Sequence, residues 1–458
     1  MRSFERFYEL TQQTPIIHFQ YGEHGATLRA TEVKPKLDKY IRKRCEVKKE
    51  WKLGDTEALN YRMTITAPDE NPEISKNAEL KKDCKRMGEK ESKLLSTGRY
   101  DPQINKMYFG NMIEGRLSIK DYCNKVDEAF KETVSYKEKI VVTIVCMIKG
   151  LRDKIDECIE EFFFINNFGM RQTKGFGSFR LVAKRHDPNW KATNPVRFFR
   201  SLGLPAIYVK ADSSSSSQMM DYAASIYSVM KGGVNLTRDG DYPEKYVKSY
   251  AQRGFFDYCN QVALKSEKAF IKENVFHTTK TSNQNYTFIR ALLGLPNNYE
   301  YQTKKLEGNE VASIDKNRIK RIKVNIYSID KPSDQIERMR SPITIKIIDE
   351  YLFFVFNSIE DKGILGREFY FLLSNKESRW FKQEKDFNEK AKFIRENGHP
   401  ISTPGNIDWR VFINGFIDYY YSDKVQSGMK ACGYPYSFAA KLALESVNVG
   451  GDNNDGIK

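Results

Sequence analysis

Three glycines stand within nine residues where an apolar helix pattern meets a strand pattern, in "INNFGMRQTKGFGSF", residues 165–179. Upstream, Leu151, Ile155, Cys158, Ile159, Phe162 and Phe163 recur at helical spacing, which predicts one buried helix face. Before that, "KIVVTIVCMI" (139–148) is β-branched and apolar and reads as a central strand. After the glycines, "SFRLVA" reads as another strand. Asn167 or Gly169 is expected to supply the left-handed residue that ends the helix. Any fold for this chain must therefore place a glycine-rich loop, with Arg171 and Lys174 inside it, between a helix and the strand that follows.

The preceding residues extend the pattern. "TPIIHFQ" (14–20) reads as a strand, and Pro15 is tolerable at its start. "TLRATEVKPKLDKYIRKR" (27–44) reads as a helix that Pro35 should kink or restart. "ALNYRMTITA" (58–67) alternates, with Leu59, Tyr61, Met63 and Ile65 on one face. Residues 68–133 are rich in Lys and Glu and punctuated by Pro68, Pro72 and Pro102, so they read as an insertion. The order strand, helix, strand, strand, helix, strand is that of a ferredoxin-like or RRM-like unit. The expected fold class is α+β with two such domains on antiparallel sheets: residues 1–186 with the insertion, and residues 187–458.

The second domain is read from the remaining segments. "ADSSSSSQ" (211–218) reads as a connector, and residues 219–296 read as mainly helical. "RIKRIKVNIYSI" and "RMRSPITIKIIDEYLFFVF" read as three strands, the last two forming a hairpin around Asp349–Glu350. "DWRVFINGFIDYYY" reads as an aromatic helix whose rings are core.

Charge narrows the partner. The net charge of +15 over 458 residues favours a polyanion, nucleic acid before an anionic membrane surface. No apolar run is long enough to span a bilayer. The N-terminal stretch has acids and amides where a secretory apolar region would lie. The seven cysteines and five histidines are scattered without metal-ligand spacing, so neither a metal nor a cofactor is expected, and a cytoplasmic location suits the thiols.

Glycines allow positive φ and close backbone approach, and successive amides in such a loop can cradle an anion. Here the glycines leave a helix and enter a strand, the reverse of a P-loop or a dinucleotide fingerprint. The segment "NFGMRQTKGFG" resembles the glycine-rich signature of the RAMP superfamily of CRISPR-associated RNA-binding proteins. That signature reads Gly-hydrophobic-Gly, five residues, Gly-hydrophobic-Gly. Phe168 and Phe176 are the hydrophobics, and Asn167 stands where the first glycine is expected. Two further stretches, "TPIIHFQYGEHGATLRATEVKPKLDKYI" and "RMRSPITIKI", are similar to parts of the large two-domain RAMP subunit of the type III Cmr branch.

The resemblance implies an RNA-binding, non-catalytic subunit of a type III CRISPR effector complex, acting in antiviral defence. Its implied partners are guide RNA, target RNA or both, and other RAMP subunits. The expected contacts are Gly169, Arg171, Gln172, Thr173, Lys174, Gly175 and Gly177 in the loop, and Arg29, Lys34 and Lys36 near the start of the basic helix. In "KPKLDKYIRKRCEVKKEWK" (34–52) nine bases face three acids. "NRIKRIKVNI" (317–326) reads as a strand with a basic outer face. The alternative is a metal-independent endoribonuclease that matures guide RNA, with His24 as general base between Gly22 and Gly25. No tyrosine or lysine partner is fixed for His24 by sequence, and no acid of the insertion stands in an identifiable motif.

Overall fold

The computed structural model describes residues 4–14, 16–17, 28–67, 134–135, 139–211, 216–235, 246–251, 264–276, 285–295, 298–302, 321–328, 339, 341–357, 363–374, 387–431 and 444–447. The expected insertion 68–133 and His24 lie outside them. Two compact units emerge. Unit 1 holds residues 1–225, 344–355 and 441–448; unit 2 holds the rest. The units do not part at residues 186–187.

Unit 1 opens with β1 (Glu5–Gln12), β2 (Ile16–Ile17), α1 (Ala30–Arg44) and β3 (Arg62–Thr66). It continues with β4 (Val134–Ser135), β5 (Ile140–Val145), α2 (Lys149–Ile165), β6 (Phe179–Lys184), α3 (Pro195–Ser201) and β7 (Ala206–Lys210). The first sheet has the order β3-β5-β1-β6, with every pair antiparallel. Tyr8 stands opposite Val142 on one side and Lys184 on the other.

The first strand lies earlier than the sequence suggests. Tyr8, Leu10 and Gln12 of β1 are buried, while Glu5, Arg6 and Glu9 hold half-exposed positions and disguise the strand as a charged terminus. Of the expected strand at 14–20, Ile16–Ile17 pairs against Val134–Ser135, while residues 15 and 18–20 lie outside the described residues. The helix expected at 27–44 is the single element α1, which runs across Pro35 without a break. Proline deletes one helix hydrogen bond there. Val33 on one side of it and Leu37, Tyr40 and Ile41 on the other are all buried and hold the helix down. They pack with Leu151, Ile155, Ile159 and Phe162 of α2 and with Leu10, Ile140, Val142 and Ile144 of the sheet. Each fully buried Leu or Ile contributes roughly 1.5–3 kcal/mol.

The chain passes through α4 (Ser216–Tyr227), a π-helical turn at Ser228–Gly232, β8 (Val234–Asn235), β9 (Tyr246–Val247), β10 (Leu264–Ser266), α5 (Glu267–Phe270), β11 (Asn285–Thr287), α6 (Ile289–Leu292), β12 (Asn298–Gln302) and β13 (Arg321–Tyr327). Among the described residues of 219–296, helical segments predominate, joined by short strands such as β8 and β9, which pair through Val234–Val247 and Asn235–Tyr246. The expected hairpin forms as β14 (Ile343–Ile348) and β15 (Tyr351–Phe356). Asp349 takes φ 51° at its turn, a conformation that Asp tolerates better than most residues. These strands build a second sheet of unit 1, in the order β14-β15-β7 with β18 (Glu445–Val447) on the far edge. Phe198 and Phe199 of α3 pack on its face against Phe353 and Val355.

Unit 2 is completed by β16 (Glu368–Leu373), α7 (Phe387–Asn397), β17 (His399–Ser402), α8 (Trp409–Tyr421) and α9 (Asp423–Ala431). Its sheet has the order β12-β13-β16-β17, again antiparallel. In α8, Trp409, Phe412, Phe416 and Tyr420 are buried, so those rings are core. No described helix is long and apolar enough to cross a membrane.

Candidate nucleic-acid interface

The loop between α2 and β6 divides into a sealed neck and a half-exposed tip. The neck closes where Phe168 donates its amide to Gly177 O at 2.9 Å. The strands approach so closely that a Cβ on Gly177, at φ 66°, would lie 1.9 Å from Phe168 O. Phe168 and Phe176 are fully buried, and Phe168 meets Phe162, Phe163 and Phe179 at centroid distances of 5.6–5.9 Å. The hydrophobic positions of the signature are therefore anchors.

The tip runs from Gly169 to Lys174 and is half-exposed throughout. Gly169 takes φ 76° and Arg171 φ 54°, a left-handed bend that costs a non-glycine residue about 1–2 kcal/mol. Gly169 donates its amide to the Glu32 carboxylate, at 2.8 and 3.1 Å to the two oxygens. Gln172 Nε2 donates to the same carboxylate at 3.3 Å and to Gly169 O at 2.7 Å. Lys36 Nζ reaches Glu32 at 2.9 Å and Asn167 O at 3.2 Å, and sits 4.7 Å from the Phe168 ring centroid.

The far side of the loop is stitched to β14. Asn167 Nδ2 donates to Ile345 O at 2.8 Å, Ile345 donates its amide to Thr173 O at 3.3 Å, and Ser178 Oγ donates to Ile347 O at 2.6 Å. Gly175 is buried, and a Cβ there would meet Ile345 Cγ2 at 3.2 Å. Arg180 pairs with Asp349. Lys346 Nζ, almost wholly buried, donates to Asn166 O at 2.7 Å and to Asn167 Oδ1 at 3.0 Å. Burial holds its pKa well below the ordinary lysine value, and the charge of Lys36 lowers it further. The three stretches that separately resemble RAMP sequences thus meet in space: α1 through Glu32 and Lys36, the glycine loop, and β14.

The sequence expectation of a row of bare amides is corrected here. The amides of Phe168, Gly169, Lys174, Gly175 and Ser178 all have partners within the chain. Lys34 and Lys36 are likewise engaged. Lys34 Nζ donates to Asp38 at 2.9 Å and to Leu59 O at 3.0 Å, and lies 4.3 Å from the Tyr61 ring. Arg29 is the N-cap residue of α1 and is half-buried. Burial lowers the pKa of Arg171 from the ordinary arginine value.

Sequence reading overlooked Glu32 and Lys346, named Asn167 only as a helix-ending residue and a stand-in for a signature glycine, and did not separate the outer face of the basic helix from the rest of its charge. Pro35, Lys39 and Lys43 are exposed at four-residue intervals, and Lys48 and Lys49 are exposed just beyond. The helical stripe of Val33, Leu37 and Ile41 already implied that face. In β13, Lys323 is exposed and Val324 buried, while residues 317–320 of that basic stretch lie outside the described residues. Among the described residues, no group of three or more His, Cys, Asp or Glu could hold a metal ion.

Models of the Cmr1 N-terminal domain and the Cmr1 C-terminal domain match residues 4–234 and 246–433. No curated protein matches the chain. Among solved structures, the chain is similar to the crystal structure of Cmr1 from Pyrococcus furiosus in its apo form, at 10% identity and a TM-score of 0.37, over 78% of this chain and 88% of that one. The two family matches take in most of the sequence, and on them the chain belongs to the Cmr1 family, the RAMP proteins of the Cmr branch of type III CRISPR systems.

Proposed function

We propose that the chain is a non-catalytic, RNA-binding subunit of a cytoplasmic type III CRISPR effector ribonucleoprotein. It grips guide or target RNA through the tip of its glycine loop and the outer face of α1, and its neighbours are other RAMP subunits. The order β3-β5-β1-β6, with helices after the first and third strands of the sheet, is that of a ferredoxin-like unit. The antiparallel sheet of unit 2 is the counterpart that a two-domain RAMP protein needs.

The observation that carries this reading is the division within the loop. Phe168, Phe176 and Gly177 are sealed, whereas Arg171, Gln172, Thr173 and Lys174 remain half-exposed. Their donors are thereby held in place before RNA arrives, which lowers the ordering cost of binding. Lys39 and Lys43 of α1 add exposed positive charge.

The test is retention of a single-stranded guide-length RNA by the full chain across a salt series. Five phosphate contacts give a log–log slope of about −3.5. The double variant Arg171→Glu/Lys174→Glu should bind at least about ten-fold more weakly, with a slope shallower by about 1.4, while its melting curve barely moves. Unchanged retention would overturn the reading. Cleavage of repeat RNA in EDTA, abolished by His24→Ala, would instead identify a nuclease.

A further inference from the structure

The inner side of the loop tip is an anion site, and Glu32 occupies it. Its two carboxylate oxygens receive the Gly169 amide, the Gln172 side-chain amide and the Lys36 ammonium, all at 2.8–3.3 Å. One main-chain amide, one side-chain amide and one ammonium are also a donor set suited to the two non-bridging oxygens of a phosphodiester. Carboxylate and phosphodiester each carry one negative charge and two acceptor oxygens, so one can replace the other without leaving a donor unmet.

Two features indicate that Glu32 is replaceable rather than the fastener of the loop. The loop is fixed elsewhere, by the Phe168–Gly177 neck, by Asn167 on Ile345 and by Ser178 on Ile347. The Glu32 side chain is 27% exposed and sits on a helix that Val33, Leu37 and Ile41 bury independently. Its carboxylate can therefore swing into water by side-chain rotation alone, with backbone and neck unchanged.

We infer that Gly169 N–H, Gln172 Nε2 and Lys36 Nζ form a phosphate site for the backbone of single-stranded RNA, held shut by Glu32 in the free protein. A phosphodiester enters as the carboxylate leaves. This rests on the RNA-binding reading above and adds to it a named site and a built-in competitor. The competitor keeps the Gly169 amide and the Lys36 ammonium satisfied when no RNA is present, and it biases against weak anions that cannot displace it.

The experiment measures affinity of the full chain for a labelled single-stranded RNA in Glu32→Gln, Glu32→Ala and Glu157→Gln. Glutamine keeps an acceptor oxygen for Gly169, so the loop stays in place, and thermal unfolding checks this. Glu157 is an exposed acid of α2 and reports the general effect of removing one negative charge. Glu32→Gln should bind about five-fold tighter than wild type and Glu157→Gln less than about two-fold tighter. The Glu32→Gln gain should vanish when Lys36→Gln is added. If Glu32→Gln and Glu32→Ala behave like Glu157→Gln, or bind more weakly, the inference falls while the RNA-binding reading stands. If the wild type binds no RNA at low salt, both fall.

Discussion

Gly169 and Gly177 lie eight positions apart in one loop and share a left-handed backbone, φ 76° and 66°, yet they serve opposite ends. At Gly169 the conformation turns an amide outward, onto a carboxylate of α1. At Gly177 it lets two backbones touch, with no room for a methyl group beside Phe168 O. One half of the signature is assembly, and the other half is the part to which the proposed function assigns recognition. A glycine-rich motif read as a uniform ligand cradle conflates the two.

The sharpest way to break that contrast is to add one methyl group at each end. Gly177→Ala drives a Cβ into a backbone oxygen that belongs to the neck and cannot rotate away. Backbone and core must shift, at a cost of about 3 kcal/mol or more. Gly169→Ala places a side chain at φ 76° and should cost about 1 kcal/mol. Urea midpoints of the two variants at a constant m-value give both figures. Equal losses would erase the distinction between neck and tip.

The next effect comes from Lys346, beneath the neck. Its pKa is held well below the ordinary 10.5 by burial and by the charge of Lys36. The folded chain therefore releases a proton that the unfolded chain keeps. Between the depressed value and 10.5 the unfolded state binds more protons, so stability should rise with pH by up to about 1.4 kcal/mol per unit. Below that window the cost of charging Lys346 is fully present; above it, no further gain follows. Lys346→Met has no proton to release. The stability of wild type relative to this variant should therefore climb as pH is raised toward 10.5. A flat difference in urea unfolding from pH 7 to 10.5 would mean that Lys346 stays charged in the fold.

Much of this was legible in order and period. Residues 139–184 announced strand, helix, loop and strand, because a β-branched run and a 3.6-residue stripe follow one another without interruption. The hairpin turn at Asp349–Glu350 was equally local. What sequence could not supply was partnership at a distance. Glu32 stands 137 positions from Gly169, and no periodicity links a carboxylate on one helix to an amide in a loop. Tyr8, Leu10 and Gln12 were hidden because Glu5, Arg6 and Glu9 give the first half of β1 the look of a charged terminus. Lys34 and Lys36 stand out in sequence as basic and early in α1, but their pairing with Asp38 and Glu32, each one helical turn away, was not read from it.

That last point yields the smallest and most discriminating measurement, since Lys34 and Lys39 share helix and charge and differ in surroundings. Lys34 lies between Asp38, Leu59 O and the Tyr61 ring, and Asp38 in turn accepts the Leu59 amide at 3.1 Å. Removing the ammonium leaves a buried carboxylate without its cation, so Lys34→Met should lose about 1 kcal/mol of stability and keep its RNA affinity. Lys39 is exposed, and no ion pair holds it among the described residues. Lys39→Met should leave stability within about 0.5 kcal/mol and weaken RNA binding about two-fold, with the salt slope shallower by about 0.7. A reversed pattern, with Lys34 mattering for RNA and Lys39 for folding, would place the RNA on the inner face of α1 and exclude the outer stripe as its track.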